Sequence, residues 1–317
     1  MLRKNHKIQI DSTAKDRLYN ICLSKGDRNS ECIVEYYEKY KDFLDLKFVS
    51  QMKDDFPACM SELYFCHVFI ERLNLEIMHA SDKGPDFYLP KLKCWAEIVT
   101  ATHGKQGNIN SIAPEDYDIG TGYEVPVDKI KLRFSTCLGD KFKKISKYIE
   151  EKTIDDDKPV VICVSGGWLC NSFGMPINPV GGLPEIAQVL YGCGNLVYHI
   201  GRNSRTILGS EIELKMQIPK LKIESLSEPI NIGHFQSEKY AQISAVIYSW
   251  KSIFFNFDPE KIGNDFVVMH NPFAKNPLER NAFNCGIEHI PTVHDDSIAI
   301  EIVNHEKPSQ ANNAHPL

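Results

Sequence analysis

Apolar residues along the first fifty positions recur at helical spacing, with Ile33, Tyr36, Tyr37, Tyr40, Phe43, Leu44 and Phe48 falling on one side of a 3.6-residue repeat. Residues 1–55 therefore read as an N-terminal helical layer without catalytic groups. Asp54 or Asp55 then caps a helix with Pro57 in its first turn, running to about Leu73. Three short strands follow at Leu75 to His79, Phe87 to Leu89 and Lys93 to Thr100, the last two joined by a tight Pro90-Lys91 turn. The stretch from Ala101 to Pro126 is studded with Gly, Asn, Asp and Pro and reads as a long loop suited to a flap over a site. A helix over Val127 to Glu151 and a strand over Pro159 to Ser165 complete an order of helix, three strands, helix, strand.

The second half is less regular. Strands are predicted at Leu196 to Ile200, Ile212 to Met216, Ile243 to Ser249 and Phe266 to His270, with helical turns at Leu183 to Leu190 and Glu238 to Gln242. Residues 304–317 carry Pro, Ser, Gln and Asn and read as a disordered tail. The expected architecture is α/β: a central mixed β-sheet flanked by helices. The helical layer stands before it, a core spans residues 56–165, and an extension spans residues 166–303.

Composition narrows the functional classes. The apolar runs Val160 to Val164 and Ala245 to Tyr248 fall far short of the roughly 20 residues that cross a bilayer, so no membrane association is expected. The basic start leads into Asp11, Lys15, Asp16 and Arg17 rather than an apolar segment, which reads as cytoplasmic. Ten cysteines form no CxxC pair and sit among apolar neighbours, as reduced structural thiols do. A net charge of −6 argues against coating nucleic acid along the whole surface but leaves room for a local basic groove.

Candidate chemistry gathers around three acids. Glu62 is the one charged residue within Phe56 to Ile70, on a helix that is apolar on most faces. Asp86, in Gly84-Pro85-Asp86-Phe87, stands at the entrance to a strand. Glu97 lies inside the partner strand, sharing a face with Trp95 and Val99 while Cys94, Ala96 and Ile98 share the other. Carboxylates brought together across a hairpin repel one another, and a divalent cation with hard oxygen ligands, Mg²⁺ or Mn²⁺, would let them ionise.

On these residues the chain resembles the PD-(D/E)xK, or restriction-endonuclease-like, superfamily of nucleases. Pro85-Asp86 matches the PD, Glu97 the second acid and Glu62 the upstream helical acid, and the element order over residues 56–165 is similar as well. The resemblance implies an αβββαβ core, Mg²⁺ or Mn²⁺ held by Asp86, Glu97 and Glu62, and hydrolysis of phosphodiester bonds in DNA. It departs in one place. Val99 stands where the superfamily carries its lysine, so either the site is silent or the cation comes from elsewhere, as in members that resemble this chain in drawing it from the following helix.

On that helix Phe134, Leu138, Phe142, Ile145 and Ile149 define the buried stripe, and at 100° per residue Lys141 falls about 60° from its centre. Arg133, Lys143, Lys144 and Lys147 lie well over 100° away. Lys141 is thus the candidate to orient the attacking water, unless it merely snorkels at the edge of the stripe. Arg133, Lys143 and Lys144 are the candidates for phosphate contacts, although a charge run is also what a solvated face looks like. Ser165 after Val160 to Val164 lacks the first glycine of a nucleophile elbow, since Cys163 stands there. Gly192-Cys193-Gly194 lacks the third glycine of a dinucleotide loop. Two readings stay open: a metal-dependent nuclease, and a catalytically inactive module of the same fold that binds nucleic acid or assembles with a partner. A homodimer is compatible with either.

Overall fold

The computed structural model describes residues 8–24, 26, 28–79, 83–105, 107–112, 125–169, 183–221, 228–251, 262–294 and 297–306. Three helices, α1 (Arg17–Ser24), α2 (Arg28–Tyr40) and α3 (Phe48–Asp54), form the N-terminal layer. Helix α4 (Phe56–His67) follows directly, capped by the Asp55 carboxylate, which accepts the Ala58 N–H at 3.2 Å. It passes into a single wider turn over Val68–Arg72. Strands β1 (Met78–His79), β2 (Phe87–Leu89) and β3 (Cys94–Thr100) come next. The turn between β2 and β3 is a short 3-10 segment, Pro90–Leu92, closed by Lys93 in the left-handed region.

Helix α5 (Val127–Glu150) and strand β4 (Val160–Ser165) complete the expected core, within a residue or two of the bounds read from the sequence. Beyond it lie α6 (Glu185–Tyr191), β5 (Cys193–Ile200), β6 (Ile207–Leu214), β7 (Gln217–Lys220), β8 (Glu228–Asn231), β9 (Ala245–Ser249), β10 (Val267–His270), β11 (Ile287–His294) and β12 (Ser297–Asn304). Eight strands form one mixed sheet in the order β1-β2-β3-β4-β9-β10-β11-β12, in which β3, β4 and β9 run parallel. The pairs β5-β6 and β7-β8 are separate two-stranded ribbons. Residues 166–303 thus extend the central sheet by four strands and add two ribbons. The tail expected from residue 304 starts later, since β12 runs to Asn304, and residues 307–317 lie outside the described residues.

The sheet separates two cores because side chains alternate across it. Cys94, Ala96, Ile98, Val161 and Cys163 point toward α1 to α4, whereas Trp95, Val99, Val160, Ile162 and Val164 point toward α5 and α6. Glu97 pairs with Ile162 and so belongs to the α5 side, among apolar neighbours on a central strand. Burial of both faces of β4 explains its unbroken apolar run, Val160 to Val164. All nine described cysteines are free and buried, as small apolar side chains are. Among the described residues, no helix is long and apolar enough to cross a membrane.

Candidate functional site

Ten of the twelve residues of α4 are buried, and the other two, Ala58 and Glu62, are partly buried. They stand four apart and so share one face. The small Ala58 leaves space beside the carboxylate, and both residues line the same cavity. Glu62 is therefore the one acid that this helix delivers to a site. Burial, and then the charges of Asp86, Asp45 and Glu97, push its pKa well above the usual carboxylate range, with Lys141 opposing them.

Asp86 and Glu97 are brought together by the β2-β3 hairpin. Phe87 pairs with Ala96, and one further step in that register sets Asp86 across from Glu97. Asp86 Oδ2 accepts the Ile98 backbone N–H at 2.6 Å, which fixes the carboxylate against β3. Burial and the Glu97 charge raise its pKa to about 6, against the opposing pull of Lys141 and the Ile98 N–H. Glu97 itself is fully buried.

Two lysines of α5 meet Glu97. Lys141 donates to Glu97 Oε1, and Lys144 donates to the same oxygen at 2.8 Å. Lys141 thus occupies the place inferred for it from helical geometry. Lys144 is a correction, because the stripe analysis turned it outward. Its long stem carries the ammonium back over the sheet, and although burial opposes protonation, Glu97 raises its pKa overall. Cys137, Lys141, Lys144 and Tyr148, spaced four, three and four, form a ridge beside the apolar stripe, and this spacing was the available signal. Val99, where the resemblance would place a lysine, lines the cavity that holds Lys141.

The rest of the basic run is spent differently from expectation. Lys131 is buried, Lys129 donates to the Ser111 carbonyl at 3.2 Å, and Arg133 Nε donates to the Thr102 carbonyl at 2.7 Å. Arg133 therefore anchors the start of the loop that follows β3 rather than standing outward, while Lys143 remains exposed as expected. The described part of that loop, 101–105 and 107–112, is tied back to α5. The middle of the expected flap, residues 113–124, lies outside the described residues.

Two cavities flank the acids. One, of about 440 Å³, is lined by Val99, Thr100, Thr102 and Lys141; the other, of about 570 Å³, by Lys83, Lys144, Lys147 and Tyr148. Gln51, Glu62 and Asp86 line both and form the partition between them.

Among the described residues, no group of three His, Cys, Asp or Glu side chains stands close enough to hold a metal ion as the side chains lie. The donor set nevertheless fits a hard cation. Glu97 Oε2 is buried without a hydrogen-bond partner, a costly condition for a carboxylate oxygen, and Glu62 and Asp86 are held against ionisation by burial and then by neighbouring carboxylates, Asp86 acting on Glu62 and Glu97 on Asp86. What the lysines supply satisfies only one oxygen of the cluster's buried acid. The fold and site define the class of protein: a mixed α/β domain whose central sheet, flanked by helices, carries a buried acid and lysine cluster beside two cavities. Comparison with family models, curated proteins and solved structures returns no match for this chain.

Proposed function

We propose that the chain is a metal-dependent nuclease of the PD-(D/E)xK type that hydrolyses phosphodiester bonds of DNA. One observation carries the reading: three acids from a helix and a hairpin converge with a lysine of the following helix, in the element order αβββαβ, where the strand lysine is replaced by Val99. Asp86, Glu97 and Glu62 would hold Mg²⁺ or Mn²⁺. Such an ion, when bound, polarises the phosphodiester and stabilises charge on its oxygens. Lys141, at the wall of the smaller cavity beside Glu62 and Asp86, holds the water that attacks phosphorus and favours its hydroxide form. Burial of the cluster strengthens each of these electrostatic contacts.

The test is cleavage of plasmid and single-stranded DNA in Mg²⁺ and in Mn²⁺, by the wild-type protein and by Asp86→Ala. Cleavage by the wild type and its loss in the variant are expected; intact substrates with both proteins would sink the assignment. A second reading, a catalytically silent binding or assembly module, is favoured by one feature. Lys141 and Lys144 already neutralise Glu97 through one oxygen, an arrangement that a purely structural ion pair also needs.

A further inference from the structure

The central sheet ends differently on its two sides. At one edge β1 is two residues long, whereas at the other β12 runs for eight, Ser297–Asn304, in unbroken register with β11. Short strands, lysines, prolines and bulges are the devices that keep a sheet edge from pairing with another chain, and β12 carries none of them. Its one charge, Glu301, is met by Arg280 at 3.3 Å. Pairing with β11 also shows which backbone groups are left over. The His305 N–H donates to the Gly286 carbonyl at 2.9 Å, one step beyond the Asn304–Ile287 pair, and Pro291, opposite Ile300, has no N–H to offer. Odd-numbered residues of β12 therefore bond inward to β11, while Ile298, Ile300 and Ile302 turn their N–H and C=O groups outward. Among the described residues no strand lies beyond them.

Side chains decide what such an edge accepts. Ile298, Ile300 and Ile302 share one face of β12. Ile300 packs against the core beneath α5 and α6, and the stripe continues past it to Ile302, which is 56% exposed. Two copies that pair antiparallel about a two-fold axis perpendicular to the sheet set residues of the same face opposite one another, so a residue must lie on the axis. Centred on Ile300, the register sets Ile298 of each copy against Ile302 of the other, and Ala299 against Glu301. Centred on Glu301, it would set two carboxylates face to face, a destabilising pair. Centred on Ala299, it would leave Ile302 beyond the end of the other strand. We infer that β12 is the interface of a homodimer in which two copies join edge to edge in the register centred on Ile300, fusing their sheets into one. Main-chain hydrogen bonds from Ile298, Ile300 and Ile302 supply the attraction, and the isoleucine pairs fix the register. At roughly 4.8 Å per strand, the two β3 strands stand about 50 Å apart along the joined sheet. Each copy keeps its own acid cluster, and the inference stands or falls separately from the nuclease reading.

The test is sedimentation velocity of the full chain across a range of concentrations, with urea denaturation of each variant to show that its monomer keeps the fold. Wild type is expected to sediment as a dimer. Ile302→Lys and, separately, Ala299→Glu change exposed side chains, and each is expected to raise the dissociation constant at least tenfold. The first sets an ammonium against Ile298 of the other copy, and the second a carboxylate against its Glu301. Ala299→Lys meets the same Glu301 with the opposite charge and is expected to dimerise at least as well as wild type. A wild type that stays monomeric at every concentration overturns the inference and leaves the edge to a strand of some other protein. A dimer that persists in both Ile302→Lys and Ala299→Glu is held by another surface and overturns it as well. Equal weakening by Ala299→Lys and Ala299→Glu removes the register and, with it, the proposed interface.

Discussion

The ammonium of Lys144 lies 2.8 Å from Oε1 of Glu97, across 47 residues of chain and from a different layer of the fold. Because Lys141 donates to the same oxygen, a carboxylate with no exposed surface is matched by two cations that keep part of theirs. Removing one partner of a buried pair costs more than the pair contributes, since the remaining charge is stranded.

Substituting the lysines should therefore be strongly non-additive in stability. Lys144→Ala alone, with Lys141 still in place and the lost side chain half exposed, is expected to cost about 1 kcal/mol or less. The pair Lys141→Ala/Lys144→Ala should cost about 3–5 kcal/mol, read from urea denaturation. Simple additivity of the two single variants would show that the two lysines do not act on Glu97 as a shared partner.

In the proposed cleavage reaction the two lysines are expected to separate. Lys141 lines the cavity with Thr100 and Thr102, whereas Lys144 faces the other one. Lys141→Ala should lower the cleavage rate by at least about 100-fold, the scale of a lost general acid-base group, while Lys144→Ala keeps most of the activity. The reverse ranking would transfer the water-positioning role to Lys144.

Divalent cations should stabilise the folded chain. An ion at about 100 times its dissociation constant adds roughly 2.7 kcal/mol if it binds only the native state. Thermal denaturation with Mn²⁺ should show a rise of a few degrees in wild type, absent in Asp86→Ala. A matching rise in that variant would place the ion elsewhere on the molecule.

Acid should loosen the protein well away from this site. Burial pushes His67, His234 and His289 down to about 4 from 6.5, so the unfolded chain takes up their protons first as pH falls. Between about pH 6.5 and 4 the unfolded state binds more protons, and stability must drop as pH is lowered through that window. Each unit separating the folded and unfolded values is worth up to about 1.4 kcal/mol per histidine. His289→Gln should flatten the midpoint-against-pH curve in urea; a curve that keeps its slope would exclude His289 as a contributor.

Backbone conformation gives a prediction free of titration. Gly286 has φ +61° just before β11, and a Cβ there would sit 2.1 Å from the Phe266 carbonyl oxygen, which itself accepts the Ile287 N–H. Gly286→Ala should destabilise by several kcal/mol, whereas Gly26→Ala, at φ +57° with open space around it, should cost only about 1 kcal/mol. Comparable losses in the two variants would mean that the β10-β11 connection yields to the added methyl.

Where the sequence was legible, a single physical signal dominated. The alternation around Glu97 and the polar break at Gly84-Pro85-Asp86 read directly as a hairpin, and Glu62 stood out as the lone charge on an apolar helix. Strands β7, β8 and β11 escaped detection because Pro219, Pro229 and Pro291 lie inside them, and proline argues against a strand unless its missing N–H points away from a partner. Pro219 in fact pairs with Pro229 in an isolated ribbon. Lys144 was missed for a different reason. Angles around a helix axis describe where a Cα points, while a four-carbon stem can carry its charge sideways to a carboxylate on the adjoining sheet.

The acids ride on α4 and the β2-β3 hairpin, and their counter-charges ride on α5. Chemistry assembled at such a seam has two owners. A slide or tilt of α5 by a fraction of a helical turn would uncouple cation from acid without breaking a strand pair.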